Sequence, residues 1–482
     1  MNIRHWSAIA LSLLLLGCGN DDSVGVDQEI KTLIETNGLT GDPSTGRTIP
    51  QITSAKAQLG MKLFFSKALG GDSDAACVTC HHPVLGGGDN LSLSIGVGAV
   101  NMNLLGTGRV HSAASAHYDG FAPVPRNAPS TFNLVLWDKV LFWDGRLESI
   151  TPTAGKNGSV GGIRTPDSAF GVSDPNAGAN LAVAQARFPV TSPEEMRGFV
   201  FEAGNSNAAV RAHLGDRLSN PAATDYITNT WQNEFEAIYG SNSVNFSNIV
   251  DAIGEYERSQ LFINTPWKAY VQGDRNALSA EAKRGAKLFF NSTEKGGMNC
   301  VACHSGDFFT DENFWVMAVP QVGRGKNTLT GEDLGRISAG ADATKRYAFR
   351  TPTLLNVEMT GPWGHDGAYT SLKAMVAHMV NPETAVAGYD YSQLDSNVKT
   401  VNSTLNTADA LSQLLVNKSS GISPHKSVTV TDGNIDDLVA FLKSLTDPCI
   451  KDRNCLDPWI PQNSAGVDGL QLNAEDISAN RL

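Results

Sequence analysis

No run of basic residues appears anywhere in this 482-residue sequence, and its 37 Lys and Arg are outnumbered by 49 Asp and Glu, for a formal net charge of −12. That balance excludes the basic footprint of a nucleic-acid-binding protein. Nor does the leading apolar run reach membrane-spanning length: Trp6 to Leu16 covers 11 positions, against the roughly 20 a bilayer helix needs. Charged residues make up only 18% of the chain. Cysteine is scarce too, at seven, so each one can be accounted for. What the sequence does have is length, enough for two or three domains with sizeable cores.

Four of the seven cysteines sit in two copies of one pattern, Cys77-Val78-Thr79-Cys80-His81 and Cys300-Val301-Ala302-Cys303-His304. C-x-x-C-H is the attachment site of c-type haem: the thiols add across the two vinyl groups and the His supplies an axial nitrogen to the iron. Two intervening residues let both sulfurs reach adjacent vinyls from one turn. Zinc knuckles or a redox dithiol are the competing readings, and two such five-residue matches in a chain with seven cysteines favour haem. Gly60-Met61-Lys62-Leu63-Phe64-Phe65 precedes the first motif and Gly285-Ala286-Lys287-Leu288-Phe289-Phe290 the second. A whole unit of helix, short loop and motif therefore recurs. Two cytochrome c-like domains, each holding one covalent haem c, are expected from that.

The remaining cysteines mark the ends. Leu15-Leu16-Gly17-Cys18 closes the apolar leader and resembles a bacterial lipobox, giving a signal peptide over 1–17 and a lipid anchor at Cys18; an ordinary cleaved leader with an incidental cysteine is the alternative. Residues 18–48 read as a flexible tether. Cys449 and Cys455 enclose five residues in the tail, 447–482, and read as a small disulfide. Haem attachment and a disulfide both belong to an oxidising, exported compartment, here the periplasmic side of a cell envelope.

Between these ends, Thr53 or Ser54 caps a helix through Phe65, and Ile249, Val250, Ile253 and Tyr256 share one face of a helix from about Asn248 to Leu261. Further helices are expected over Ser371 to Val380 and Ile435 to Leu445. The Gly-, Ala-, Asn- and Ser-rich stretch 154–187 reads as a long surface insertion. Domain limits are placed at 49–245 and 246–446. Ser192-Pro193-Glu194-Glu195 has the form of a capping box that opens a helix.

The two haem motifs, together with Arg126-Asn127-Ala128-Pro129, Phe142-Trp143-Asp144-Gly145-Arg146, Pro193-Glu194-Glu195-Met196, Arg350-Thr351-Pro352-Thr353-Leu354-Leu355-Asn356-Val357 and His365-Asp366-Gly367-Ala368, resemble the bacterial di-haem cytochrome c peroxidase family, which includes the MauG-like enzymes. The resemblance covers most of residues 52–446 and implies a mostly α fold of two cytochrome c-like domains facing each other across an interface. It implies that hydrogen peroxide meets the N-terminal haem, ligated by His81, while the C-terminal haem, ligated by His304, relays electrons. Trp143 is then the indole between the haems, Glu195 the distal acid–base residue and Pro189 a distal-pocket proline. Met379 becomes the sixth ligand of the second iron, a thioether that raises its potential. On periodicity alone Met379 shares a face with Met375 and Leu372 and reads as core, and its neighbour His378 is the competing ligand. Glu195 reads equally as a helix cap, and Trp143 as interdomain packing. A calcium ion between the domains is carried over to Asn127, Thr360 and Pro362, which could equally be turn-formers.

The sequence departs from the peroxidase pattern in three places, one of them the insertion that begins at Ala154. Val97 follows Ser94-Ile95-Gly96 where the usual peroxidases carry a His that blocks the first iron until the second is reduced. Thr153 stands where the family has a distal Gln. MauG-like members also lack the blocking His, yet MauG uses a Tyr where this chain has Met379. Three readings result: a peroxidase fed by a small cytochrome c or cupredoxin, an oxidase that modifies Trp or Tyr of a partner protein, and a non-catalytic electron-transfer cytochrome. His111 and His117, in the loop 101–125, are the candidates for a substitute ligand.

Overall fold

In a computed structural model of the chain, residues 21–115, 117–220, 231–327 and 329–482 are described. The leader and Cys18 lie outside them. The molecule is mostly helical, built around the two motif units. Helix α1 (Asp21–Thr36) comes first, followed by α2 (Ala55–Phe65), α3 (Leu181–Ala186), α4 (Asn207–Ser219), α5 (Trp231–Tyr239) and α6 (Phe246–Ser259). The second half supplies α7 (Pro266–Val271), α8 (Ala280–Phe290), α9 (Leu372–Val380), α10 (Pro382–Ala387), α11 (Ser403–Ser419) and α12 (Asp432–Lys443), and α13 (Arg453–Leu456) lies in the tail. No helix among the described residues is long and apolar enough to cross a membrane.

Each unit is a crossed helix pair with a haem motif at its side. Ser54 caps α2 by accepting from the Ala57 N–H, and Ser279 caps α8 through Ala282, satisfying donors that a helix start leaves free. Helix α2 crosses α6 at Gly60, where a Cβ would lie 1.9 Å from the Ala252 carbonyl oxygen; α8 crosses α12 at Gly285, where it would lie 1.9 Å from that of Asp437. Only glycine lets the backbones approach so closely. One turn on, Phe64 meets Tyr256 with ring centroids 5.0 Å apart, and Phe289 meets Phe441 at 5.1 Å. The repeated Gly-x-x-x-Phe thus encodes one crossing used twice. It also moves the domain boundary: α6 completes the first unit's core, so 246–259 belongs to that unit rather than to the second. The apolar face announced the helix but not its partner.

A second repeat joins the units. Asn133 and Asn356 both adopt left-handed conformations, φ 62° and 66°, at the start of a short turn. Both are buried, and both side chains donate to the Phe262 carbonyl, at 3.2 and 2.9 Å.

The ends of the chain cross over. Ile30 and Leu39 pack into the second unit's core with Phe289 and Phe441, Lys283 pairs with Asp27 at 2.9 Å, and the Thr40 and Gly41 N–H groups donate to Asp307. The expected tether is therefore docked structure from α1 onward; its apolar residues, spaced at helical intervals, found a buried face. The tail returns to the first unit, where Ile450, Leu456, Ile460 and Leu472 join Leu63, Phe64 and Phe65. The Leu472 N–H donates to the Phe65 carbonyl at 2.8 Å. Cys449 and Cys455 are bonded to each other.

Residues 154–187 are likewise more than a surface loop. Strand β1 (Val140–Leu141) pairs antiparallel with β2 (Leu147–Ser149), which pairs with β5 (Ile163–Arg164), and a hairpin of β3 (Pro152–Thr153) and β4 (Gly158–Ser159) intervenes. Ile163, Ala177, Leu181 and Ala184 form a core with Leu134 and Trp137. Small residues there allow close packing of α3 on α6, where Val183 abuts Gly254. A third sheet pairs β6 (Phe314–Val316) with β7 (Ala348–Arg350).

Candidate haem sites and the wall between them

Both motifs begin in a single 3₁₀ turn, Cys77–Thr79 and Cys300–Ala302. Their four thiols are free of disulfides. His81 Nδ1 lies 3.1 Å from the Gly87 carbonyl oxygen, and His304 Nδ1 3.1 Å from that of Phe309. Burial lowers the pKa of both rings, His81 to about 4. A neutral imidazole that donates through Nδ1 keeps Nε2 as a lone-pair donor, which is what a haem iron requires.

Each motif opens onto a cavity. The first, about 120 Å³, is lined by Cys77, Cys80, His81, Pro189, Glu195 and Glu257 among others. The second, about 260 Å³, is lined by Cys300, Cys303, His304, Met317, Met375 and Met379 among others. Thiols, imidazole and enclosing walls together fit a covalent haem at each place. His378, the competitor of Met379, is buried and occupied: Tyr369 Oη lies 2.8 Å from its Nδ1 and the Met317 carbonyl oxygen 2.8 Å from its Nε2. Met379, one position on, lines the cavity instead.

Trp143 lines both cavities, as do Trp137, Arg350 and the segment Asn127–Ser130. The turn between β1 and β2 presents it, with Phe142 and Gly145 both at φ 62°. A left-handed phenylalanine is strained backbone of the kind that collects at functional sites. The indole N–H donates to the Asn127 carbonyl at 2.9 Å, and the Arg350 N–H to the Trp143 carbonyl at 2.8 Å. The Arg350 guanidinium stands 3.8 Å from the Trp137 ring centroid and 5.9 Å from that of Trp143. Burial pulls its pKa down to about 10.

Beside this wall Arg126 is clamped by two buried carboxylates. It lies 2.7 Å from Asp144 and makes a two-pronged bond to Asp333 at 2.6 and 2.8 Å. Burial disfavours the Arg126 charge, but the two carboxylates more than offset it and raise its pKa; Asp144 is held well below the usual carboxylate range. The Asp333 N–H donates to Gln321, which lines the second cavity, so the network reaches from one cavity to the other.

Glu195 faces the first cavity, but not from a capped helix. Pro193–Arg197 is a single π turn, and the Ser192 hydroxyl bonds Glu194 at 3.1 Å rather than a backbone N–H. Gly198, at φ 77°, ends the turn, so the S-x-x-E pattern has no helix to cap. Glu195 has no side-chain hydrogen bond among the described residues. Pro189 lines the same cavity, whereas Thr153 sits in the β3–β4 hairpin, away from it. Val97 is buried, its N–H pointing to the Glu194 carbonyl at 3.4 Å. His111 is held by Phe121 and Ser115, and exposed His117 lies against Phe199; neither lines a cavity.

Asn127, Thr360 and Pro362 all line the second cavity. The Asn127 amide nitrogen donates to the Leu91 and Ser92 carbonyls, which leaves its Oδ1 for another partner. Among the described residues no cluster of three or more His, Cys, Asp or Glu side chains forms a metal site. A cation here would be held by neutral oxygens.

Residues 54–276 match the family model described as di-haem cytochrome c peroxidase. Over those residues the chain is similar to the di-haem cytochrome c peroxidases. It is 28% identical over 331 residues to the methylamine utilization protein MauG of Methylorubrum extorquens, covering 68% of this chain and 69% of that one. It is 26% identical over 332 residues to the cytochrome c551 peroxidase of Pseudomonas aeruginosa, covering 69% and 73%. Among solved structures, the fold resembles the dihaem peroxidase BthA of Burkholderia thailandensis, with a TM-score of 0.56 at 21% identity over 84% of this chain and 89% of that one. A MauG-like protein associated with microbial copper homeostasis gives 0.53 at 19% over 86% and 98%. The family is one of oxidoreductases that carry two c-type haems.

The motif segments had already pointed to Arg126, Asp144 and Arg350, though not to the roles these have in the wall. Glu257 was missed. Its signal was visible, because position 257 continues the apolar face of Ile249, Ile253 and Tyr256.

Proposed function

We propose that this protein is a di-haem peroxidase that reduces hydrogen peroxide to water at the Cys77–His81 site with electrons relayed through the Cys300–His304 site. The observation that carries this reading is the unequal lining of two cavities that share Trp143. The first has carboxylates, Glu195 and Glu257; the second has no carboxylate and is rich in methionine. Bound haem supplies the iron that accepts peroxide and exchanges electrons.

The residues around it manage protons and position. Glu195 takes the proton from the bound peroxide oxygen and returns it to the leaving one, a general acid–base role. Pro189, which cannot donate a hydrogen bond, narrows the pocket beside it. Trp143, fixed through its N–H, bridges the two cavities. Met379 would offer its thioether to the haem held by His304, and His378 is engaged elsewhere. Asn127, Thr360 and Pro362 are the oxygen ligands of a calcium ion that stiffens the same wall. The electron donor is a small soluble cytochrome c or cupredoxin, and the chain is exported and held to a membrane through a lipid at Cys18.

Val97 favours a second reading, in which the oxidising equivalents pass to Trp or Tyr of a partner protein, because nothing at that position requires reduction before peroxide enters. Stopped-flow mixing of the all-ferric protein with hydrogen peroxide tests the open first site. An immediate spectral change is expected; silence until one electron is added overturns it. A resting spectrum with no five-coordinate, high-spin haem leaves an electron-transfer cytochrome.

A further inference from the structure

A deeply buried carboxyl faces the first haem cavity with nothing to bond. Glu257 lines the first cavity with Cys77, Cys80 and His81. It is 3% exposed, its Oε2 is fully buried without a partner, and no hydrogen bond reaches its carboxyl among the described residues. The repeated crossing identifies its counterpart. Ala252 and Asp437 meet the two glycines, Tyr256 and Phe441 meet the two phenylalanines, and the next residues are Glu257 and Leu442. Leu442 lines the second cavity. The same scaffold therefore puts a leucine beside one haem site and a carboxyl beside the other.

Leucine is the better structural choice, since an unpaired buried carboxylate destabilises a fold. The groups facing Glu257 do not compensate it. Tyr256 on its own helix and Cys77 of the motif turn are neutral neighbours whose own ionisation it disfavours. On α2, Lys56 and Lys62 are held by Asp251 and Glu234. Helix α3 and the turn Leu134–Leu136 carry no ionisable residue. On α4, Arg211 is held by Asp167, and Arg217 donates to the Ala68 and Gly70 carbonyls. Burial alone therefore moves the carboxyl, from 4.5 to about 8.

We propose that Glu257 takes up a proton when an electron reaches the N-terminal haem, making that haem, and not its partner, proton-coupled. This rests on the haem assignment above. A carboxylate in a low-dielectric site favours ferric over ferrous iron by Coulomb's law, so adding an electron raises the carboxyl's proton affinity, and the coupling is reciprocal. In balance, one electron comes from the donor protein and one proton from solvent forms the O–H bond of the Glu257 acid; both leave on reoxidation. Peroxide reduction consumes two protons with its two electrons, so a site that gathers protons as electrons arrive serves the first haem and would be idle at the second.

The test is a potentiometric titration of the holoprotein at several pH values from 6 to 9, following each haem by its own absorption. The N-terminal potential is expected to be level at lower pH and to fall as pH rises past about 8, where the carboxyl of the oxidised protein ionises, while the C-terminal one stays flat, and Glu257→Gln flattens the first. Redox-difference infrared spectra should show a protonated carboxyl C=O band on reduction that disappears in the Gln variant. Glu257→Leu, which copies the second unit, gives the same readouts if Gln folds poorly. A flat wild-type profile, or a slope that survives both substitutions and so comes from the haem propionates, overturns the proposal. Failure of the haem assignment is separately visible, because a haemochrome assay would then find fewer than two haems per chain.

Discussion

The two halves of this molecule use one frame for different ends. Each crosses two helices at a glycine, stacks an aromatic pair one turn on, sets a C-x-x-C-H turn beside them and ties a left-handed asparagine to the Phe262 carbonyl. The divergence lies in what the frame holds. Around His81 stand Glu195, Glu257, Arg126 and Arg146; around His304 stand Met317, Met375, Met379 and leucines. Helix packing is thus separable from redox role. On the proposed reading, a handful of inward-pointing side chains separates a site that handles protons from one that handles only electrons.

Changing those side chains should break the contrast. The largest effect is expected at Met379: its replacement by Ala should abolish the low-spin methionine–haem absorption band of the second site and lower that haem's potential. His378→Ala should keep the band, though it loses two buried hydrogen bonds and should melt earlier by an amount of order 1–3 kcal/mol. The reverse pattern moves the ligand to His378.

Glu195→Gln is next. Gln preserves shape but cannot shuttle a proton, and such shuttling contributes about 10²–10⁴-fold in rate. A loss of at least about tenfold in the peroxide-driven spectral change is expected, because water substitutes in part. Melting should be unchanged, since the turn that carries Glu195 is not a capped helix. A normal rate removes Glu195 from catalysis.

The shared frame can be tested symmetrically. Gly60→Ala and Gly285→Ala each force a Cβ against a backbone carbonyl, and overpacking of this kind typically costs about 1–3 kcal/mol. Chemical denaturation should show both destabilised to a similar degree; a silent substitution at either site would mean that the crossings are not equivalent.

A change of pH distinguishes Glu257 from Leu442. Because burial raises its pKa from 4.5 to about 8, the folded state binds a proton there that the unfolded state has released. The stability contributed is complete below about 4.5, falls as pH rises through the window, and is gone above about 8. Thermal melts of Glu257→Leu should therefore fall less between pH 5 and 9 than those of the parent chain, whereas Leu442→Ala should lower melting equally at both.

Much of this was readable from residues. The haem motifs and the repeated Gly-to-Phe-Phe block announced two units, and Ser54 and the apolar faces of α6, α9 and α12 carried local helix signals. The sequence was less informative about partners. Helix periodicity showed that α6 had an apolar face but not that α2 would cover it, so the domain boundary fell on the wrong side. A polar, glycine-bearing N-terminal stretch resembled a tether because the surface that binds Ile30 is built from residues about 250 positions away. In 154–187, small residues suggested a loop, yet the same smallness allowed α3 to lie tightly on α6. The S-x-x-E pattern at Ser192 failed because a cap needs a helix after it, and Gly198 prevents one.

The crossed-over ends have a consequence for the order in which a ribosome releases this protein. The second unit needs α1, the first of the described helices, and its core closes once α12 has emerged. The first unit displays its haem motif early but lacks an outer layer until Leu472 and Ala474 arrive. The half that is synthesised first is the half that is finished last.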